Sequence, residues 1–299
     1  MTAGKDKSMI RRRIVLFACL FISLSVGLRA EVGDENLVMG NPSHATSDAS
    51  NTTNYLMRKA EYVLSYNAST ASPNWVSWHL NASWIGDSDR QDDFRSDTSL
   101  PAGWFRVAPK DYTKTGFDKG HMCNSKDRTA STNANSTTFL MTNMIPQSPR
   151  NNEQTWKNLE DFCRKLALSS NSNELYIICG PAGKGGVGGR GKRETIAAHR
   201  QDGIDGAITV PASTWKVVLV LPHNKCHPDD VTTNSTTIAV CVPNTQSVTP
   251  DWTAYVTTVS DIETQTGFTF FGTIDPTVAS VIKNQRYGPK FNFRGRSDN

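Results

Sequence analysis

An α+β fold, with a central antiparallel sheet and helices packed on it, is predicted by three features of the sequence. Residues 175–179, 215–221 and 237–242 are nearly continuous apolar runs of strand length. Residues 74–80 alternate apolar and polar side chains as a half-buried strand does. One long helical pattern, from near Glu153 to near Ser169, puts Trp156, Leu159, Phe162, Cys163 and Leu166 on a single stripe. With 299 residues, 37% hydrophobic and 20% charged, the chain can bury a core around such a sheet, and no internal repeat is visible.

Taken in order, residues 1–30 read as a signal peptide. Arg11, Arg12 and Arg13 precede an apolar run from Ile14 to Leu28, and Gly27 and Ala30 are small enough for cleavage. That run, about 15 residues, is short of the ~20 that a spanning helix needs. Export is therefore expected, to a secreted or periplasmic location, with no stable membrane association once the signal is removed. Residues 31–53, rich in Ser, Thr, Asn and Gly, read as a poorly ordered lead-in; 54–285 form a single domain, and 286–299 a basic tail. Apolar residues within 55–66 recur at helix-like and strand-like intervals alike, so that segment stays ambiguous. Short strands are expected at 104–107 and 139–142, an exposed Asn-rich loop at 124–136, and a helix at 252–263. His79, on the alternating strand, reads as a structural hydrogen-bonding residue. Asn151 or Asn152 can cap the helix that begins near Glu153.

The formal net charge of +4 comes from the leader. Residues 1–30 hold six Lys or Arg and one Asp, leaving 26 basic and 27 acidic residues beyond them, so any attraction for phosphate must come from local clustering. Lys184, Arg190, Lys192 and Arg193 offer one such cluster in a Gly-rich surface loop at 180–193. Gly186, Gly191 and Lys192 are spaced as in a phosphate-binding loop, but Arg193 stands where a Ser or Thr would hold Mg²⁺. Five cysteines follow the leader, an odd number that leaves at least one unpaired; a Cys226–Cys241 disulfide is the expected pairing in an exported protein. No Cys-x-x-Cys occurs, which argues against a zinc site or a redox motif.

The chemistry concentrates in Asp118-Lys119-Gly120-His121-Met122, Asn143-Met144-Ile145-Pro146-Gln147 and the segment holding Asn152, Trp156, Leu159 and Glu160. His121 can take a proton from water near neutral pH. Asn152 and Glu160 supply hard oxygen ligands of the kind Mg²⁺ accepts while keeping most of its waters. Eight residues separate them, just over two helical turns, so a continuous helix would stack both on one face.

These stretches resemble the signature of the DNA/RNA non-specific endonucleases of the ββα-metal fold: Asp-Arg-Gly-His, then Ser/Thr-Asn-Met-x-Pro-Gln, then Asn-x-x-x-Trp-x-x-Leu-Glu. Every position matches except Lys119, where the family usually has Arg. The likeness extends from near Gly40 to about Phe271 and includes Arg90-Gln91-Asp92-Asp93-Phe94. The resemblance implies a central antiparallel sheet flanked by helices, with a long catalytic loop and a metal-bearing helix. It implies Mg²⁺ as cofactor, with Mn²⁺ as a substitute, and cleavage of DNA and RNA, single or double stranded, without sequence specificity. The ends left would be 5′-phosphate and 3′-hydroxyl.

Carried onto matching positions, His121 is the general base, Asn152 the direct metal ligand and Glu160 a ligand through water. Arg90 contacts the scissile phosphate, and Arg164 and Lys119 add nucleic-acid contacts. A Lys keeps the charge of the usual Arg but loses its planar two-point grip. Asp118 and Asn143 support the loop structurally. No proteinaceous inhibitor can be read from the chain. Two rivals fare worse: a catalytically weak secreted nucleic-acid-binding protein would have lost His121 or Asn152, and a two-metal phosphomonoesterase would show a cluster of Asp and His ligands.

Overall fold

Seven antiparallel strands make the main sheet in the computed structural model, which describes residues 1–2, 34–198 and 206–288. In chain order the strands are β1 (Tyr55–Arg58), β2 (Val63–Asn67), β3 (Ser72–Leu80), β4 (Asp118–His121), β5 (Met144–Gln147), β6 (Glu174–Ala182), β7 (Gly186–Gly188), β8 (Gly191–Arg193), β9 (Thr195–Ala198), β10 (Gly206–Thr209), β11 (Ser213–Leu221), β12 (Thr236–Pro243) and β13 (Val256–Thr257). The α-helices are α1 (Thr132–Thr137), α2 (Lys157–Ala167), α3 (Val259–Thr266) and α4 (Pro276–Lys283). The main sheet runs β1-β2-β3-β6-β11-β12-β13, and β4-β5, β7-β8 and β9-β10 form separate two-stranded ribbons. The fold is α+β. The signal-peptide reading from residue 3 onward, and the tail from residue 289, lie outside the described residues.

The strand period of two sorts the central strands into two cores. Val218 and Val220 of β11 join Ile177 and Cys179 of β6, Val76 and Trp78 of β3, and Trp156, Leu159, Cys163 and Leu166 from the helical segment. Trp215, Val217, Leu219 and Leu221 point the other way, onto Val259 and Ile262 of α3 and Ile282 of α4. Because both faces are covered, these strands read as unbroken apolar runs. A third cluster, with Tyr112, Phe117, Met141, Met144, Ile196 and Ile208, lies beneath the loops at the β4–β5 end.

Several expectations need correction. Residues 104–107 form no strand, and 139–142 turn through a one-turn 3₁₀ helix before the strand β5 begins at Met144. The apolar letters there record burial under the third cluster rather than extension. Residues 124–136 are no exposed loop. Ser125, Asp127, Arg128 and Asn135 are buried, and Arg128 donates to the carbonyls of Glu61, His79 and Asp127. Residues 252–263 split into a 3₁₀ turn, the short β13 and the start of α3. The lead-in from Asp34 is packed: Met39 and Ala45 are buried, and Asn36 accepts from His79 N and donates to Ala60 O. The ambiguous 55–66 is a hairpin, β1 and β2, whose strands are too short for either period to declare itself.

The Cys226–Cys241 disulfide is absent, and both thiols are free. Cys241 pairs with Trp215 near one end of the β11–β12 pair, whereas Cys226 lies beyond Leu221 at the other. Six residue steps of strand take Trp215 to Leu221, roughly 20 Å at ~3.3 Å per residue. A disulfide tolerates only about 7 Å between Cα atoms.

Candidate active site

The β4–β5 ribbon presents the loop motif. Asp118 pairs with Gln147 and His121 with Met144, and Asn143 continues the ladder with its side chain: its Oδ1 accepts from Cys123 N (2.9 Å), and its Nδ2 donates to Cys123 O and Thr138 O (both 2.9 Å). The chain leaving His121 is thereby fixed without further strand. Gly120 is required for close approach, since a Cβ there would overlap the Gln147 side chain.

Lys119 and His121, two residues apart on β4, share a face. Both lie against Phe94: the His121 ring centroid is 5.5 Å from that of Phe94 and 4.9 Å from that of Phe139, and Lys119 Nζ is 4.6 Å from the Phe94 centroid. Arg90 Cζ sits 4.8 Å from the Phe139 centroid, and the guanidinium is held by Asp92 (2.7 Å) and Ser125 Oγ (2.8 Å). His121 is only 8% exposed, and its Nε2 is buried without a hydrogen-bond partner. Burial, reinforced by the charges of Arg90 and Lys119, pushes its pKa down to about 3. The imidazole is therefore unprotonated throughout the neutral range, the form a general base needs, and an anionic phosphate that offsets Arg90 and Lys119 would raise its low basicity.

Asn152 donates through Nδ2 to Asp118 Oδ2 (3.0 Å), which turns its Oδ1 away from Asp118. Arg90, Lys119, Asp118 and Asn152 line one open groove, together with Phe94 and Glu153. The helix carrying Asn152 starts at Pro149 rather than near Glu153, so neither Asn151 nor Asn152 caps it. Asn151–Trp156 form a wider π-helical stretch before α2. In a regular α-helix eight residues overshoot two turns by roughly 80°. The wider turn takes up part of that excess and brings positions 152 and 160 nearer to one face.

Glu160 and Arg164 do not line this groove; they are buried behind it. Glu160 Oε2 accepts from Asn124, three residues past His121, while its Oε1 has no hydrogen-bond partner and lies 3.7 Å from Lys216 Nζ. Burial pushes the Glu160 carboxyl up to about 7, against the pull of Lys216 and Arg164. Arg164 is tied to Asp127 (2.8 Å) and to Asp161, and those carboxylates claim the guanidinium that was expected to touch nucleic acid. His79 is bound to Glu174 (2.7 Å) and stacked on Tyr176, away from these residues.

Lys216 was missed by sequence reasoning. It sits at 1% exposure in the middle of β11, on the side facing α2, with Nζ 4.4 Å from the Trp156 ring centroid and 5.4 Å from that of Trp78. Burial alone would lower its pKa, but the Glu160 carboxylate holds it above the ordinary value. A buried ammonium is tolerated here because two indole faces and one carboxylate replace its water. The available signal was a lone charge inside the run Trp215-Lys216-Val217-Val218. Lys216→Met should raise the metal concentration for half-activation about fivefold at pH 7, because ~1 pKa unit of lost support takes the Glu160 carboxyl from about half to about a tenth ionised. A titration superimposable on wild type would make Lys216 a packing residue only.

Residues 39–277 match the family described as DNA/RNA non-specific endonuclease. The chain belongs to that family. It is 45% identical over 250 residues to a nuclease of Nostoc sp., covering 84% of this chain and 85% of the relative. Nuclease C1 of Cunninghamella echinulata var. echinulata is 30% identical over 226 residues, covering 73% and 83%. A crystal structure of the EndoG/EndoGI complex superposes with a TM-score of 0.63 at 22% identity, over 82% of this chain and 94% of that one, and shares the ββα-metal fold. The endonuclease is thus a hydrolase of nucleic acids, in a family whose members depend on metal. Two residues at hand offer oxygen ligands of the kind a hydrated cation takes: Asn152 by its amide oxygen, and Glu160 by Oε1, which accepts no hydrogen bond and faces Lys216 Nζ at 3.7 Å.

Proposed function

We propose that this endonuclease is an exported, Mg²⁺-dependent enzyme, with Mn²⁺ as a substitute, that hydrolyses DNA and RNA to 5′-phosphate and 3′-hydroxyl ends. The observation that carries the reading is His121: a neutral imidazole with an unpartnered Nε2, flanked by two cations and set on the same ribbon as Asp118, which holds Asn152. His121 removes the proton from the attacking water. Arg90 and Lys119, on the groove wall, hold the non-bridging phosphate oxygens. Asn152 would hold the cation by Oδ1, and Glu160 would orient its waters. When bound, the cation supplies neutralisation of the phosphate and of the leaving oxyanion. Nothing in the groove reads base edges in this scheme, in keeping with a substrate range that spans DNA and RNA. Digestion of DNA and RNA followed by end labelling tests the reading. Ends that accept label from a polynucleotide kinase only after phosphatase treatment are expected; ends that accept it directly would contradict the assigned bond.

Lys119→Arg should preserve or raise the cleavage rate by restoring a two-point grip, and Lys119→Met should lower it and flatten its salt dependence. Wild-type rates for Lys119→Met across a salt series would remove the phosphate role.

The pKa shifts of Glu160 and His121 lead to an expected pH behaviour. Because Glu160 must lose a proton to serve the cation, the Mg²⁺ concentration for half-activation should rise as pH falls below about 7, approaching tenfold per unit. His121, already neutral, sets no limb in that window. The two groups act oppositely on folding. Protonation of His121 disfavours the fold, so its contribution is lost as pH falls from 6.5 toward about 3; Glu160 favours the fold on protonation, as pH falls from about 7 toward 4.5. Metal titrations at a series of pH values check this, and a half-activation point that does not move between pH 8 and 6 would contradict it.

A further inference from the structure

We propose that a second groove, beside the catalytic one, is a track for the nucleic-acid backbone that flanks the cleaved bond. This rests on the nuclease reading above and extends it to substrate length. The groove is lined by Lys110, Lys114 and Arg193, with Asp111, Thr113 and Ile196 between them. It shares Thr113 with the groove of Arg90, Lys119 and Asn152, so the two are contiguous along one surface.

Three elements far apart in sequence deliver its cations. Lys110 lies in the 3₁₀ turn Pro109–Tyr112, Lys114 in the turn that follows, and Arg193 at the end of β8. All three are exposed. Their platform is held firmly: Gly189 N donates to Gly116 O (2.7 Å), and a Cβ on Gly116 would strike Arg190, so the β7–β8 hairpin is clamped against the 113–117 turn. Tyr112, Phe117 and Ile196 beneath it belong to one buried cluster. Lys114 also keeps a positive φ of 60°, a backbone state that a Lys rarely adopts and that surrounding structure must enforce.

Asp111 is the one acid among the described lining residues, and its Oδ2 accepts from Ala108 N (2.7 Å), capping its own turn. Three like charges gathered in one groove repel each other, and a polyanion that crosses it relieves that repulsion. Continuity with the catalytic groove favours a nucleic acid over an acidic protein: a strand whose scissile phosphate lies at Arg90 and Lys119 must leave along the surface, and Thr113 is where the two grooves meet.

The test compares wild type with the triple variant Lys110→Gln/Lys114→Gln/Arg193→Gln, measuring anisotropy of a labelled duplex long enough to span both grooves, in chelator so that nothing is cut. Kd should rise about tenfold near 0.1 M salt, and the slope of log K against log salt should flatten by up to about 2.7, roughly 0.9 per lost phosphate contact. Turnover of a dinucleotide-sized diester, which cannot reach the second groove, should be unchanged in kcat and KM. The charge-preserving variant Lys110→Arg/Lys114→Arg/Arg193→Lys should bind as wild type does, which separates lost charge from lost folding. An unchanged Kd and slope in a triple variant that melts like wild type would overturn the track. So would duplex binding that holds while binding to polyglutamate weakens, because the groove would then serve an acidic protein. Wild type that neither bound nor cut nucleic acid would instead sink the nuclease reading itself, and the track with it.

Discussion

His121→Ala should lower turnover of DNA and RNA by about 10²–10⁴-fold, the usual cost of removing a general base, while nucleic-acid binding persists. The size of the effect follows from the surroundings. Phe94 and Phe139 wall the imidazole, and burial, reinforced by Arg90 and Lys119, keeps it unprotonated; neither cation can take a proton from water in its place. Removing the ring also leaves a gap against the two Phe side chains, so the variant should melt somewhat earlier, and rates should be compared well below its melting temperature. Cleavage within a few-fold of wild type would refute the assignment of His121.

Asn152→Ala should be nearly as damaging, for a different reason. The amide oxygen is the proposed direct contact to the cation, and its loss should lower the rate and raise the Mg²⁺ concentration for half-activation by at least the 10–100-fold typical of losing an outer-sphere partner. Glu160→Ala should chiefly shift the Mg²⁺ requirement, because its proposed contact runs through water. The alanine at 152 also strips Asp118 Oδ2 of its donor, which leaves an uncompensated carboxylate beside the groove. Metal titrations of the two variants separate these roles. Half-activation at the wild-type concentration in both would move the metal site elsewhere.

What the sequence disclosed depended on whether neighbours in sequence or neighbours in space carried the information. The strands β6, β11 and β12 were legible because burial on both faces writes an unbroken apolar run, and β3 from its alternation. Helix α2 was legible from its stripe, but the π-helical stretch before it was not, since no residue type marks a widened turn. Residues 139–142 looked like a strand because Phe139, Met141 and Thr142 are buried, and burial in a turn spells the same letters as burial in a strand. The Cys226–Cys241 pairing failed because loop composition says nothing about which end of a strand pair each thiol occupies.

The candidate site was legible to the extent that it is local. His121, Lys119 and Asp118 lie on one four-residue strand, and Asn152 and Glu160 on one helical segment. The partners of those residues were not. Asn124 on Glu160 and Asp127 on Arg164 come from one 3₁₀ turn and Lys216 from β11, and only folding brings them to α2. Arg164 shows the limit most clearly: one helical turn from Glu160, it looked like a phosphate ligand, and the two carboxylates that claim it lie at 127 and 161.

The most direct measurement is to incubate purified protein, stripped of metal, with supercoiled plasmid DNA and with RNA, each with Mg²⁺ or with chelator. Nicking and then fragmentation of the plasmid, together with degradation of the RNA, are expected with Mg²⁺, and neither with chelator. Intact plasmid and intact RNA in the presence of Mg²⁺, or equal cleavage of both in chelator, would contradict a Mg²⁺-dependent nuclease acting on DNA and RNA alike.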